Sequence, residues 1–309
     1  MISLRTSSIV NIAAAALLLG VIPSACAPSR RGAVGARLAQ RRGIAGAKPP
    51  ASLPSGMHVQ HDIAYGPDPA QRLDVYRPEH ATEAPVIVMV HGGGWAHGDK
   101  AADNVVINKV GHWVPEGYIV VSVNYRLSPQ ANPLGQADDV ARALAFVQHA
   151  APRWGGDTSR FLVIGHSAGG HLVSLLTADP SIATREGATP WLGTVALDGA
   201  AYNVVEIMES RHPPSLYDPI FGYDTTLWRD ASPTLRLERA PVPMLLVCST
   251  RRRVSCPQAR GFAARATSLG ARVTVLPVDL SHEEINALLG SKSSYTTAVE
   301  SFMHSLGLP

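Results

Sequence analysis

Phe161-Leu162-Val163-Ile164-Gly165-His166-Ser167-Ala168-Gly169-Gly170-His171-Leu172-Val173 is the stretch on which the reading of this chain turns. Four apolar residues of strand character run straight into a Gly-x-Ser-x-Gly, and a helical segment over Ala168–Ala178 follows without a linker. A strand that passes at once into a helix needs a sharp turn, here at Ser167. Side chains at Gly165 and Gly169 would collide with neighbouring backbone, so the glycines are a steric requirement. Such a turn lifts the Ser167 hydroxyl clear of the chain. The helix opening at Ala168 brings a partial positive charge beside it. Ser167 is therefore the candidate nucleophile. The turn directs His166 and His171 away from the hydroxyl, and both read as packing residues.

Outward from this turn the chain alternates β-rich runs with helical ones. Val86–Val90, Ile119–Asn124, Phe161–Gly165, Thr194–Asp198, Met244–Cys248 and Arg272–Pro277 are continuous Val/Ile/Leu runs, as expected of strands covered on both faces. Leu73–Tyr76 reads as an edge strand. Gly135–Ala150, Ala168–Ala178, Pro257–Leu269 and Ser294–Leu306 have helical spacing, with Val140, Leu144 and Val147 marking the first. Strand alternating with helix implies an α/β domain built on a mostly parallel sheet with right-handed crossovers. Reactive groups in such sheets gather at the carboxyl ends of the strands. The aperiodic stretch 200–240, with Tyr202, Tyr217, Phe221, Tyr223 and Trp228, reads as a small cap insertion over those ends.

The chain has 309 residues, 46% hydrophobic and 17% charged, which fills a sizeable core and excludes wholesale disorder. Its 27 Lys+Arg against 24 Asp+Glu give +3, but the excess is local. Residues 1–61 hold seven bases and no acid, leaving 20 bases against 24 acids, or −4, from Asp62 onward. A nucleic-acid partner is not expected of such a domain. Arg5, the apolar run Ile9–Ile22 and Pro23-Ser24-Ala25-Cys26 read as an export signal over 1–26, too short for a comfortable membrane span. Cys26 stands where a lipoprotein signal carries its acylated cysteine, although Pro23 is atypical there. A plain cleaved signal or an uncleaved anchor are the other readings. Residues 27–56 read as a flexible basic linker that would tether the domain of 57–309 to a membrane, leaving a periplasmic, lipid-anchored or secreted protein. Cys248 and Cys256 are either a disulfide or two buried thiols.

His91-Gly92-Gly93-Gly94-Trp95 follows the strand run Val86–Val90. Successive glycines let backbone N–H groups approach a developing oxyanion, so Gly92, Gly93 and Ala168 are the candidate oxyanion hole. His91 reads as a brace for this loop. Phosphate cradling is the poorer reading, since no Gly-Lys-Ser/Thr accompanies the glycines. The base is expected after the last strand run, where Asp279-Leu280-Ser281-His282 lies, and His282 fits in chain order; His304 is its bland competitor.

These motifs, with Gly98-Asp99-Lys100, Asn124-Tyr125-Arg126-Leu127-Ser128-Pro129 and Gly155-Gly156-Asp157, resemble the α/β-hydrolase esterases of the hormone-sensitive-lipase-like and BD-FAE-like group. The resemblance covers roughly Asp62 to the C-terminus. It implies an α/β-hydrolase fold and a serine carboxylesterase without metal or organic cofactor, acting on a small-molecule ester. It also implies that Asn124–Pro129 and Asp138-Asp139 support the site. The same machinery would serve an aryl formamidase or a carbohydrate acetyl esterase.

The chain departs from that group at the acid. The group places an Asp after the penultimate strand. Here that slot holds Ser249-Thr250-Arg251-Arg252-Arg253, and no Asp or Glu occurs from Met244 to Val278. Asp198, one strand earlier, is the favoured substitute, and some lipases of this fold resemble that arrangement. Asp279, only three residues from His282, is the second choice. Glu283 and Glu284 read as solvated, and so does the arginine triplet. A site with no acid would be slow rather than inert, whereas a catalytically dead hydrolase fold acting as a surface-binding protein is the reading from another class.

Overall fold

The computed structural model describes Leu53 and residues 55–309, and divides the chain into Met1–Pro49 and Pro50–Pro309. The second unit is described below. The export signal of 1–26, Cys26 and most of the linker of 27–56 lie outside the described residues. No helix among the described residues is long and apolar enough to cross a membrane.

Eight strands form one sheet: β1 (Met57–Ala64), β2 (Arg72–Pro78), β3 (Ala84–Val90), β4 (Ile119–Val123), β5 (Gly156–His166), β6 (Gly193–Leu197), β7 (Met244–Ser249) and β8 (Val273–Val278). Their order is β1-β2-β4-β3-β5-β6-β7-β8. β1 and β2 pair antiparallel, as do β2 and β4, and every other pairing is parallel. This is the mostly parallel sheet of the α/β-hydrolase fold.

The inner apolar runs form strands because both of their faces are covered; the run at Arg272–Pro277 departs from that expectation, since β8 is the other edge of the sheet and none of its residues is fully buried. In β3, Val86, Val88 and Val90 enter one core cluster, while Ile87 and Met89 enter another. β5 alternates likewise, with Phe161 and Val163 on one side and Leu162 and Ile164 on the other. The first layer is closed by helices Pro133–Ala150 and Ala168–Ala178. The second is closed by helices Asp103–Trp113 and Ser294–His304. Helix Ser255–Ser268 covers a third cluster beside β6 and β7. Each fully buried Val, Leu or Ile contributes on the order of 1.5–3 kcal/mol to holding these layers.

Several elements escaped the sequence reading, among them the first strand and helix Asp103–Trp113, and one was misplaced. Leu73–Tyr76 is not an edge strand: β2 lies between β1 and β4. The outer strand on that side, Met57–Ala64, is mostly exposed and carries His58, His61 and Asp62, so it has no apolar run to betray it. Its antiparallel ladder with β2 holds it in the sheet, and charge adds to that. Lys100 Nζ pairs with Asp62 at 2.8 Å and with the buried Asp74 of β2 at 2.7 Å. Helix Asp103–Trp113 was also missed; it starts without a side-chain cap at Ala102. The stretch 200–240 proves helical in pieces, with short helices at Val204–Met208, Asp218–Phe221, Thr225–Asp230 and Pro233–Arg236.

Helix Asp103–Trp113 carries a lysine in its buried face. Lys109 is 2% exposed, and its Nζ donates to the backbone oxygens of Asn104 at 3.1 Å and Asn286 at 2.6 Å. Asn108 Nδ2 donates to Ala287 O at 2.5 Å, so two adjacent side chains tie this helix to helix His282–Ala287. Burial pushes the Lys109 ammonium down to about 7. The folded chain therefore binds fewer protons here than the unfolded chain between about pH 7 and the ordinary lysine range, and stability from this group rises with pH across that window. The thermal midpoint of the wild type should rise more between about pH 7 and 9.5 than that of Lys109→Met. Equal pH slopes for the two proteins would contradict a buried, titrating ammonium.

Candidate active site

The sheet brings three chain segments to one edge. β5 ends at His166, and Ser167 takes φ +56°, a left-handed conformation that an L residue adopts only when its surroundings force it. The surroundings are backbone. A Cβ on Gly165 would lie 2.3 Å from Gly169 O, and one on Gly169 would lie 2.3 Å from Val90 O. β5 can turn this tightly beside β3 only with glycine at both places. Ser167 N donates to Leu197 O at 2.9 Å, which pins the turn to the end of β6.

Ser167 Oγ lies 2.8 Å from His282 Nε2, and His282 Nδ1 lies 2.6 Å from Asp198 Oδ2. An ionised carboxylate only accepts, so the proton of the second contact sits on Nδ1. Nε2 is then free to accept from the serine hydroxyl. His282 opens helix His282–Ala287. Ser281 and Glu284 form a capping box around that first turn, a Ser-x-x-Glu signal present in the sequence.

Asp198 is 1% exposed and directly follows β6. Its Oδ1 accepts from Ser249 N at 2.9 Å and from the Ser255 hydroxyl. Its Oδ2 accepts from His282 and, at 2.5 Å, from Arg252 Nη1. Burial alone would raise this carboxyl. The donors from His282, Ser249 and Ser255, with the charge of Arg252, outweigh it and hold Asp198 well below the ordinary carboxylate range.

The rival acids are engaged elsewhere. Arg251 Nε donates to Asp279 Oδ1 at 2.8 Å, and Arg251 Nη1 to Glu284 Oε2 at 3.0 Å. Two members of the arginine triplet thus have carboxylate partners and are not a solvated charge run.

The glycine loop after β3 lies against the serine. A Cβ on Gly92 would lie 2.8 Å from Ser167 Cβ, and Gly93 takes φ +117°. The buried His91 stacks on Tyr125 at 4.6 Å, and its Nδ1 lies 2.7 Å from Gly92 O. Tyr125 OH donates to His91 O at 3.0 Å. Trp95 Nε1 donates to His171 Nδ1 at 3.2 Å, which leaves His171 Nε2–H to donate to Ala231 O at 2.7 Å. His171 therefore fastens the glycine loop and the insertion to helix Ala168–Ala178, the elbow helix that follows the turn at Ser167, and burial pushes it down to about 4. His166 packs its ring 4.5 Å from that of His282, with Nε2 3.0 Å from the His282 carbonyl. Burial, reinforced by the neighbouring His282, lowers it to about 3. Asp139, fully buried, receives both Nε and Nη2 of Arg126, at 2.7 and 2.6 Å, and so anchors the Asn124–Pro129 segment.

Ser167, His282, Gly92, Gly93 and Ala168 line a cavity of about 390 Å³. Leu216 and Tyr217 of the insertion form part of its wall. Cys248, at the end of β7, is bonded to Cys256 in the first turn of helix Ser255–Ser268, with Cα atoms 5.1 Å apart. This bridge closes the loop that carries Ser249, Arg252 and Ser255 to Asp198. Sequence spacing left the pairing open because eight residues can separate two Cα atoms by any distance from contact to full extension.

Residues 73–190 match the family BD-FAE. Esterase LipC of Mycobacterium tuberculosis is 31% identical over 230 residues, which are 66% of this chain and 54% of that protein. The probable carboxylic ester hydrolase LipM of the same organism is 29% identical over 268 residues, 78% of this chain and 60% of that protein. The chain thus spans little more than half the length of these curated relatives. Among solved structures, esterase B from Lactobacillus rhamnosis superposes with a TM-score of 0.69 at 20% identity, covering 89% of this chain and 92% of that one. The fold is that of the α/β-hydrolases, and the sequence resembles esterases of the hormone-sensitive-lipase-like and BD-FAE-like type.

Cross-linking residues eight apart removes denatured-state freedom worth about 2.5 kcal/mol. The double variant Cys248→Ala/Cys256→Ala should lose about that much stability in denaturant titration at constant slope. An unchanged midpoint would mean that other contacts hold the loop by themselves.

Proposed function

We propose that this chain is a serine ester hydrolase in which Ser167 is the nucleophile, His282 the base and Asp198 the acid. The observation that carries the reading is the continuous relay from Ser167 Oγ to His282 Nε2 at 2.8 Å and from His282 Nδ1 to Asp198 Oδ2 at 2.6 Å. The names of the relatives, esterase and carboxylic ester hydrolase, agree with it.

The chemistry follows from the proton positions. His282 Nε2 takes the proton of Ser167 as Oγ attacks the ester carbonyl. The carbonyl oxygen becomes an oxyanion beside the backbone N–H groups of Gly92, Gly93 and Ala168, and each such donor is worth about 3–4 kcal/mol of transition-state stabilisation. The imidazolium gives its proton to the departing alkoxide, and alcohol leaves an acyl-Ser167. Water, deprotonated by His282, then releases the acid and restores Ser167. Asp198 fixes the ring tautomer and offsets the imidazolium charge. With its carboxyl depressed, Asp198 stays ionised across ordinary assay pH.

A cavity of about 390 Å³ suits a small to medium acyl ester, a substrate near the lower end of ordinary ligand sites. The full chain should hydrolyse p-nitrophenyl esters, with rates falling from short to long acyl groups. Ser167→Ala should reduce turnover to the uncatalysed background, Asp198→Asn should cost about 10⁴-fold in kcat, and Asp279→Asn should leave it unchanged. Equal rates for wild type and Ser167→Ala would favour a surface-binding protein. Full activity in Asp198→Asn would remove the assigned acid.

Export belongs to the same proposal. Arg5, the apolar run and Ala25-Cys26 support a lipid-anchored or secreted protein. Mass spectrometry of the exported chain should find an acylated Cys26 at the amino terminus. A free amino terminus beyond it would leave a secreted or periplasmic enzyme.

A further inference from the structure

The slot that resembles the usual place of the acid holds a guanidinium turned on the acid itself. Arg252, just past β7, donates from Nη1 to Asp198 Oδ2 at 2.5 Å and to Asp198 O at 3.3 Å. The same Nη1 lies 2.9 Å from His282 Nδ1. One carboxylate oxygen is therefore shared by a neutral ring N–H and a permanent cation. The other oxygen is taken by Ser249 and Ser255.

Sharing has two consequences. The carboxylate charge that would offset an imidazolium is already partly neutralised by Arg252. A second positive charge on the ring would also form within contact distance of the guanidinium. At an effective dielectric of about 20, unit charges a few ångströms apart interact strongly enough to move a protonation equilibrium by one unit or more.

Among the described residues, Asp198 and Arg252 are the charged groups in hydrogen-bond contact with the ring. His166, at the end of β5, is buried and its ring is 4.5 Å away. Lys109, on helix Asp103–Trp113, directs its ammonium to Asn104 O and Asn286 O. Tyr217 of the insertion is buried, and its phenol is pushed up by that burial. Glu283, next to the ring in its own helix, is exposed. Arg251 is engaged by Asp279 and Glu284.

We propose that Arg252 is a positioning residue that holds the Asp198 carboxylate against His282 and, by its fixed charge beside the ring, extends activity to lower pH than the same Ser–His–Asp set would reach alone. The proposal rests on the reading of Ser167 and His282 as nucleophile and base. Its functional consequence is a hydrolase that retains activity in mildly acidic surroundings. Gln at this position keeps an N–H donor without the charge, and Lys keeps the charge without the planar fork.

The test uses the full chain as wild type, Arg252→Lys, Arg252→Gln and Arg252→Met. Two readouts are followed from about pH 4.5 to 9: kcat/KM for p-nitrophenyl acetate, and the rate of Ser167 labelling by a fluorophosphonate. In Arg252→Gln and Arg252→Met the acidic limb of both profiles should move up by about one pH unit, a loss of about tenfold on that limb relative to the plateau. Arg252→Lys should keep the wild-type limb. Arg252 is partly exposed, with 31% of its side chain accessible, and thermal melts of the variants check that they fold. If the neutral variants lose rate equally at all pH values, or lose none, Arg252 only packs and the proposal falls. A wild type that neither hydrolyses the ester nor labels at Ser167 would instead overturn the serine-hydrolase reading.

Discussion

A single buried carboxylate organises the reactive edge of this molecule. Asp198 is taken out of water at the end of β6, which by itself favours its neutral form. Four donors reverse that preference, from His282, Arg252, Ser249 and Ser255. Three of them stand on the one connection from β7 to helix Ser255–Ser268 and the fourth opens the helix that follows β8, so ionising Asp198 ties the ends of β6, β7 and β8 together. Losing the charge would leave Arg252 without its partner and His282 free to choose either tautomer.

The parallel sheet makes this convergence possible. β3, β5, β6, β7 and β8 run side by side in the same direction, so their carboxyl ends open onto one edge. Glycines decide how closely those ends approach. Gly165 and Gly169 let β5 turn against β3, and Gly92 lets the following loop rest on Ser167. Around this edge the rest of the polar network is bracing. Trp95 and His171 bind the glycine loop to the elbow helix and the insertion, while Lys109 and Asn108 fasten the helix that presents His282.

Much of this was legible along the chain because the signals are local. An apolar run covered on both faces reads as a parallel strand wherever it occurs, and Gly165-His166-Ser167-Ala168-Gly169 declares a tight turn through its own sterics. β1 was not legible, since Met57–Ala64 lies on the exposed edge and is placed by its ladder with β2, with Lys100 meeting Asp62 and Asp74 beside it. The arginine triplet read as solvated because a run of like charges carries no record of which member meets a buried carboxylate. The insertion gave no period because its helices are four to six residues long, too short for a repeat to show.

The amino-acid sequence by itself determined the sheet class, the serine at its glycine-bounded turn, the glycine loop and the histidine that follows the last strand run. These depend on near neighbours, on side-chain size and on hydrophobic period. Only the tertiary structure decided which carboxylate meets His282, that Arg251 pairs with Asp279 and Glu284, that Arg252 joins Asp198, and that Cys248 bonds Cys256. Those pairings span 28 to 84 residues in every case but the disulfide, and they are set by which strand ends lie side by side. Sequence distance carries no information about that until the sheet has put its strands in order.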